Sequence, residues 1–225
     1  MNERRWPARM FAAAGAALLL LTGLGLFLQQ RNAHDAFVAL ALAQGALYLL
    51  AVWLVLRFGP FRRTLLVILA VAAAMRLGVV LAPPYLSDDL YRYVWDGRVE
   101  AAGINPYRYV PSDTHLAALR DEVIYPNINR RTYAPTIYPP VAEYIFFLAS
   151  RINESPLTMK AAMVALECAG IGVLLHLLAL AGQPLERIII YAWHPLALWE
   201  FAGSAHIDAA VVLFVALALW AQRRD

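Results

Sequence analysis

Two stretches of this chain leave little choice of solvent. Residues 10–28 and residues 36–56 contain no Asp, Glu, Lys or Arg, and each is about as long as the ~20 residues needed to cross the hydrocarbon of a bilayer. In that medium the backbone must satisfy its own hydrogen bonds, so such runs fold as helices. The first run follows Asn2-Glu3-Arg4-Arg5 and resembles a secretory signal in outline. It is long for a signal core and lacks a convincing small-residue cleavage site, so it reads as a retained helix. Further apolar runs occupy residues 64–82, 161–181, 185–202 and 209–221, with a shorter one at 141–152 after Tyr138-Pro139-Pro140. The expected fold is all-α: a polytopic transmembrane bundle of about six spans plus an outer juxtamembrane helix. A mean hydropathy of +0.56 with 16% charged residues fits that class.

Arginine placement orients the spans, because short cytoplasmic loops collect Lys and Arg. Arg4, Arg5 and Arg9 set the N-terminus in the cytoplasm, residues 29–35 outside, and Arg57, Arg62 and Arg63 inside. The segment from Pro83 onward then lies outside. The 141–152 run reaches only ~18 Å as a helix, too short to cross. It therefore reads as a juxtamembrane or re-entrant helix started by Pro139-Pro140. With that choice Arg187 and the Arg223-Arg224 tail return to the inner side. Residues 193–208 emerge on the same outer face as Asp88 and Asp89. The net charge of +3 and the pI near 9.1 are accounted for by these anchors, with no nucleic-acid partner implied. The single cysteine, Cys168, sits in an apolar run and reads as a packing residue. Residues 1–225 make one membrane domain, with 83–157 as a large outer loop.

A loop of that length carries function more often than mere connection. Nine of the eleven tyrosines fall within it, which suits both a membrane interface and a sugar-binding surface. Residues 88–99 read as a helix, with Ser87 as N-cap and Gly103 and Asn105-Pro106 closing the run. At four-residue spacing Asp88, Arg92 and Asp96 share one face, with Asp89 and Tyr93 beside it. Asp96 on that face reads as a member of a salt-bridged surface helix. Asp88 and Asp89, at the exit of a membrane helix, have the chemistry of a general base for an acceptor hydroxyl. An adjacent carboxylate raises basicity and can orient the acceptor or a divalent metal. Asp208, near Ser204 and His206, either completes that site or serves as an N-terminal helix charge.

Arg76 lies inside an apolar run, about 9 Å below its outer end at 1.5 Å per residue. It either snorkels to the interface or holds a lipid-borne phosphate. Arg130, Arg131, Arg151 and Lys160 could serve the phosphate less specifically. Glu167 and His176, costly in lipid, are expected to face the bundle interior. His194, Glu200, His206 and Asp208 match no compact metal-ligand spacing. No phosphate-cradling glycine loop offers a seat for a soluble nucleotide donor.

The succession "SDDLYRYVWDG", "GINPYRY", "TIYPPVAEYIFF" and "WHPLALWEFAGSAHIDA" resembles the GT-C superfamily of integral-membrane glycosyltransferases. The likeness is to the bacterial polyprenol-phosphate-dependent mannosyltransferase-like members and covers roughly residues 76–208. It implies an inverting transfer of a mannose-like hexose from a polyprenyl-phosphate donor to an outer-face glycan or lipid-glycan acceptor. It also implies Asp88 or Asp89 as catalytic base and Asp208 in support. Arg76, Arg92, Tyr93, Asp96, Tyr138, Glu200 and His206 are the candidate substrate-binding residues. No firm cofactor is implied; a divalent metal stays open. The implied location is the plasma membrane, with membrane lipid as surroundings. Such enzymes generally continue through further spans, so the chain is expected to correspond to their N-terminal portion, without the C-terminal spans. Two other readings compete: a transporter or flippase of polyprenyl-linked sugars, and an inactive fragment that needs a partner.

Overall fold

The computed structural model describes residues 5–59 and 63–223. Arg4, Arg62, Arg224 and Asp225 lie outside the described residues, as does the side chain of Arg5. The charge-free runs form the two longest N-terminal helices, α1 (Arg5–Gln30) and α2 (His34–Phe58), packed against each other and followed by α3 (Thr64–Val80). Next come the shorter helices α4 (Asp89–Ala101) and α5 (Pro140–Ile152), then the long α6 (Pro156–Leu180). The last helix, α7 (Asp208–Gln222), lies beside α6. Among the described residues there is no strand.

Among the described residues three helices are long and apolar enough to cross a bilayer, Ala8–Gln30, His34–Phe58 and Pro156–Leu180, or up to four if the bent pair Pro195–Gly203 and Asp208–Gln222 is one span. That is fewer full spans than the six expected. At 17 residues α3 is a shorter apolar helix, reaching about 26 Å. The 185–202 run does not form one helix. It is divided into Leu185–Ile188, Ile189–Ala192, Pro195–Ala197 and a wide π-type turn, Leu198–Gly203, and the path then bends by 119° into α7. Pro195 is the physical cause, because it has no N–H to give to the preceding turn. The carbonyls freed at the break find donors on neighbouring helices. Tyr48 Oη donates to Ile190 O at 2.6 Å, and Arg76 Nη1 donates to Ala192 O at 2.8 Å. A broken helix at membrane depth persists only where protein supplies such partners.

The first core gathers Leu18, Tyr48, Leu54, Ile68, Met75, Trp193 and Trp199 between α1, α2, α3 and the broken segment. Buried polar atoms stitch it. Trp193 Nε1 donates to Ile68 O at 2.9 Å, and Trp199 Nε1 to Gln44 Oε1 at 2.8 Å. The central tie is Arg76 with Glu167: Nη2 to Oε1 at 2.6 Å and Nε to Oε2 at 2.8 Å, 2% and 0% exposed. Glu167 thus faces the interior as expected. His176 does not; it is exposed on α6, near Trp220 of α7.

The second core, around Leu90, Tyr93, Trp95, Phe146, Met159 and Ala205, sits at one end of the bundle. The His34 ring stacks on Tyr85 at 4.9 Å, and Phe37 meets Trp199 edge-on at 5.0 Å. The 29–35 turn, the exit of α3 and the 199–208 segment therefore share that end. In α4 and α5 the backbones nearly touch: a Cβ on Gly97 would run into the Phe146 carbonyl and Ser150 Oγ. A glycine within a helix costs about 1 kcal/mol relative to alanine; here it is what allows α5 to close over α4.

Candidate functional site

The α4 helix opens on Asp89, whose N–H donates to Ser87 Oγ at 3.2 Å, while the carbonyl of Asp88 accepts from the Tyr91 N–H at 3.1 Å. Ser87 therefore caps from one residue further out than its expected place at the N-cap, which Asp88 occupies. The helix ends at Gly103, whose φ of +75° lies in the left-handed region. The expected exposed face of Asp88, Arg92 and Asp96 is divided. Asp88 is exposed, whereas Arg92 and Asp96 are buried and joined, Nε to the two carboxylate oxygens, at 2.8 and 2.9 Å. The reading of Asp96 as a surface residue is thus corrected. The segment bearing Ala134 and Thr136 covers this face, and Arg92 Nη1 donates to Ala134 O at 3.0 Å.

Asp89 is half-buried and held from across the loop. Its Oδ1 accepts from Asn129 Nδ2 at 2.6 Å. Together they line a cleft of about 80 Å³ with Arg92, Arg130, Ile137 and Tyr138. Arg130 has φ +52°, a left-handed conformation that a non-glycine residue adopts at a cost. Its carbonyl accepts from the N–H groups of Tyr133 and Ala134, which curls the loop over the cleft. Behind the cleft, Tyr93 stacks on Phe146 at 4.2 Å and meets Tyr138 edge-on at 4.9 Å. Burial first, and then the Asp89 carboxylate, push the Tyr138 phenol up to about 12, so it stays a neutral donor at physiological pH. Tyr93 is pushed up as well, mainly by burial and then by its neighbour Tyr138, and Ile207 packs against the same core.

That packing brings the two distant sequence constellations to one core without merging them. Asp208 is exposed at the start of α7 and lines a separate cavity of about 410 Å³ with His194, Glu200, Phe201 and His206. His206 Nδ1 lies 2.6 Å from Glu200 Oε2. The turn leading there is tight: Ala205 has φ +59°, and the His206 N–H donates to Glu200 O at 3.0 Å. Asp89 and Asp208 therefore do not converge on one point.

Two other expected contacts are withdrawn from any ligand. Arg76 is buried and committed to Glu167 and to backbone carbonyls, so its guanidinium does not reach out as snorkelling requires. Lys160 is likewise buried, donating to Val79 O and Ala82 O at 2.8 and 2.6 Å at the end of α3. Arg131 donates to Pro126 O and lies over the Tyr125 ring. Asn129 was not among the sequence candidates; a lone Asn in a loop carries no signal until its partner is known. Among the described residues, no group of three or more His, Cys, Asp or Glu is placed to hold a metal ion.

A carboxylate presented beside two guanidinium groups and a neutral phenol, at the end of an apolar bundle, suits proton removal next to an anionic ligand. Comparison with known families decides the class of chemistry. Residues 9–225 match the MptA_B family, described as alpha-(1->6)-mannopyranosyltransferase, N-terminal domain. The chain belongs to this family. No curated protein and no solved structure matches it. Membership in the MptA_B family supports glycosyl transfer as the activity, with a sugar donor and an acceptor as its partners.

Proposed function

We propose that this chain transfers a mannose-like hexosyl group from a polyprenyl-phosphate donor to a hydroxyl of a glycan or lipid-glycan acceptor, with Asp89 as general base. The observation that carries the reading is the Asp89 carboxylate, fixed by Asn129 at 2.6 Å in a cleft walled by Arg92, Arg130 and Tyr138. In the reaction the acceptor oxygen attacks the anomeric carbon while its proton passes to Asp89. The bond from that carbon to the phosphate oxygen breaks, and the leaving phosphate keeps the electron pair. Attack opposite the leaving group inverts the anomeric centre, as in GT-C enzymes. Arg92 and Arg130 meet the phosphate charge as it grows, where such groups stabilise most. Of the aspartate pair Asp89 is the base; Asp88, exposed and outside the cleft, is its neighbour. Asp208, Glu200 and His206 belong to the acceptor side, reached across the packing of Ile207 on the core around Tyr93.

The arginine pattern supports placing the N-terminus in the cytoplasm and the cleft at the outer headgroup plane of the plasma membrane. That is where a lipid-linked donor presents its phosphate. The test is transfer from polyprenyl-phosphate mannose in liposomes. Asp89→Asn is expected to lose at least about a hundredfold in rate, the usual contribution of a positioned base. Asp88→Asn is expected to lose far less. Wild-type transfer by Asp89→Asn would remove Asp89 from the mechanism.

A further inference from the structure

Arg92 enters the wall of the cleft with its far side already committed, and the groups that hold it form a closed polar layer. Its Nε bonds Asp96, its Nη1 bonds Ala134 O, and its Nη2 makes no hydrogen bond among the described residues. Glu143 of α5 lies in the same layer as Asp96, and each residue is 1% exposed. Thr136 Oγ1 donates to Glu143 Oε1 at 2.6 Å. One hydroxyl has a single proton, so it serves one oxygen of Glu143 and no more. Glu143 Oε2 is buried with no hydrogen-bond partner among the described residues. Two ionised carboxylates and one guanidinium would leave a net negative charge in a layer sealed by the Gly97–Phe146 contact. Like charges at such a place do not both stay ionised.

We propose that Asp96 and Glu143 hold one proton between them, with Glu143 the neutral member, and that this neutralised triad positions the Arg92 guanidinium in the wall of the cleft. The role in positioning rests on the cleft being the transfer site; the shared proton does not. The charged and titratable groups facing Glu143 are Asp96, Arg92 and Glu100 from α4 and, from the loop, Tyr107 together with the Thr136 hydroxyl. Burial first, and the Asp96 charge second, push the Glu143 carboxyl up. Burial pushes Asp96 up too, and Arg92 opposes it. The asymmetry follows from geometry: Asp96 has the guanidinium and Glu143 has only the hydroxyl. Asp96 is therefore a positioning residue, acting through Arg92, and not a sugar contact. With Nε and Nη1 spent on this triad and on Ala134, Nη2 is the atom Arg92 has left for an anionic ligand.

Two measurements read the proton without turnover, and so fail separately from the assay of Asp89. Infrared difference spectra of the protein in nanodiscs at neutral pH should show a protonated-carboxyl C=O stretch that disappears in Glu143→Gln. An unchanged spectrum means that Glu143 is ionised and overturns the proposal. Thermal unfolding gives the second. A carboxyl whose folded pKa is raised makes the folded state bind more protons, so stability falls as pH rises from the ordinary value of 4.5 toward about 8. Glu143→Gln should remove that fall; a wild-type melting temperature that does not decline across this window contradicts the shared proton. The positioning role is read from donor KM. Asp96→Asn should raise it about tenfold, the worth of a charge-assisted bond, with kcat less affected. If that variant does not fold, Thr136→Val, which spares all charges, should raise KM in the same direction. An unchanged KM in whichever variant folds overturns the positioning role.

Discussion

Replacing Glu167 alone should destabilise this bundle far more than replacing Glu167 and Arg76 together. The two side chains meet through paired bonds of 2.6 and 2.8 Å at 2% and 0% exposure. Arg76 Nη1 also donates to Ala192 O at 2.8 Å and Ala72 O at 3.2 Å. In Glu167→Leu the guanidinium keeps the carbonyls and loses its counter-charge. Stranding one partner of a buried pair costs about 3–5 kcal/mol. For a chain of roughly this size 1 kcal/mol moves the melting temperature by about 2–4 °C, so the drop should be about 6–20 °C. In Arg76→Met/Glu167→Leu no charge is stranded, and replacing a buried pair by apolar groups is often neutral. What persists is the Ala192 carbonyl without its donor, about 1–3 kcal/mol. The double variant should therefore melt above Glu167→Leu. Tryptophan fluorescence in detergent can follow this, because Trp193 lies one residue from that carbonyl. Costs that simply add would refute the coupling. The same double variant also tests the other reading of Arg76: if it folds and its donor KM rises tenfold, the arginine touches phosphate after all. The geometry predicts no such rise.

Two further outcomes follow from contacts around the cleft. Gly97→Ala places a methyl group against backbone, the Phe146 carbonyl, so α5 must move away from α4; a loss of at least about 1–3 kcal/mol is expected, read as a lower melting temperature together with reduced transfer. Asn129→Ala removes the 2.6 Å bond to Asp89 and should lower kcat/KM about tenfold, since bonds to charged groups are worth roughly 1.5–3 kcal/mol, while thermal stability changes little; a stability loss with unchanged kcat/KM would assign Asn129 to the loop alone.

The parts of this molecule that hydropathy and charge can see were legible in advance. Residues 10–28 and 36–56 became α1 and α2, and Pro139-Pro140 did start the short helix α5. What escaped was decided by partners distant in sequence. Hydropathy averages over the 185–202 run and does not ask whether its backbone is continuous. The break at Pro195 is tolerated because Tyr48 and Arg76, more than a hundred residues earlier, supply donors. Arg76 looked like a snorkelling or phosphate-binding residue because nothing near it reveals that α6 brings Glu167 alongside. Asp96 looked exposed because its spacing from Arg92 describes a helix face without saying what covers it. Here α5 and the segment around Thr136 do.

Burial then separates residues of similar chemistry into different work. Arg76, Glu167, Asp96 and Glu143 are all at most 2% exposed; a donor sugar cannot reach them without opening the packing between helices. Asp89 and Tyr138 are half-buried and Arg130 is exposed, and these line the cleft. The buried set still bears on the cleft, through a continuous series of contacts. Arg76 holds Ala192 at the break; the broken segment leads through the π-type turn to residues 204–208; Ile207 packs on the core that holds Tyr93; and Tyr93 meets Tyr138 edge-on beside Asp89. A bundle of straight helices would have no reason to spend an arginine–glutamate pair in its apolar middle. One that must hold a bent segment in register behind Asp89 does, because without the Arg76 donor the freed carbonyl at Ala192 would be left unpaired and costly in a dry interior.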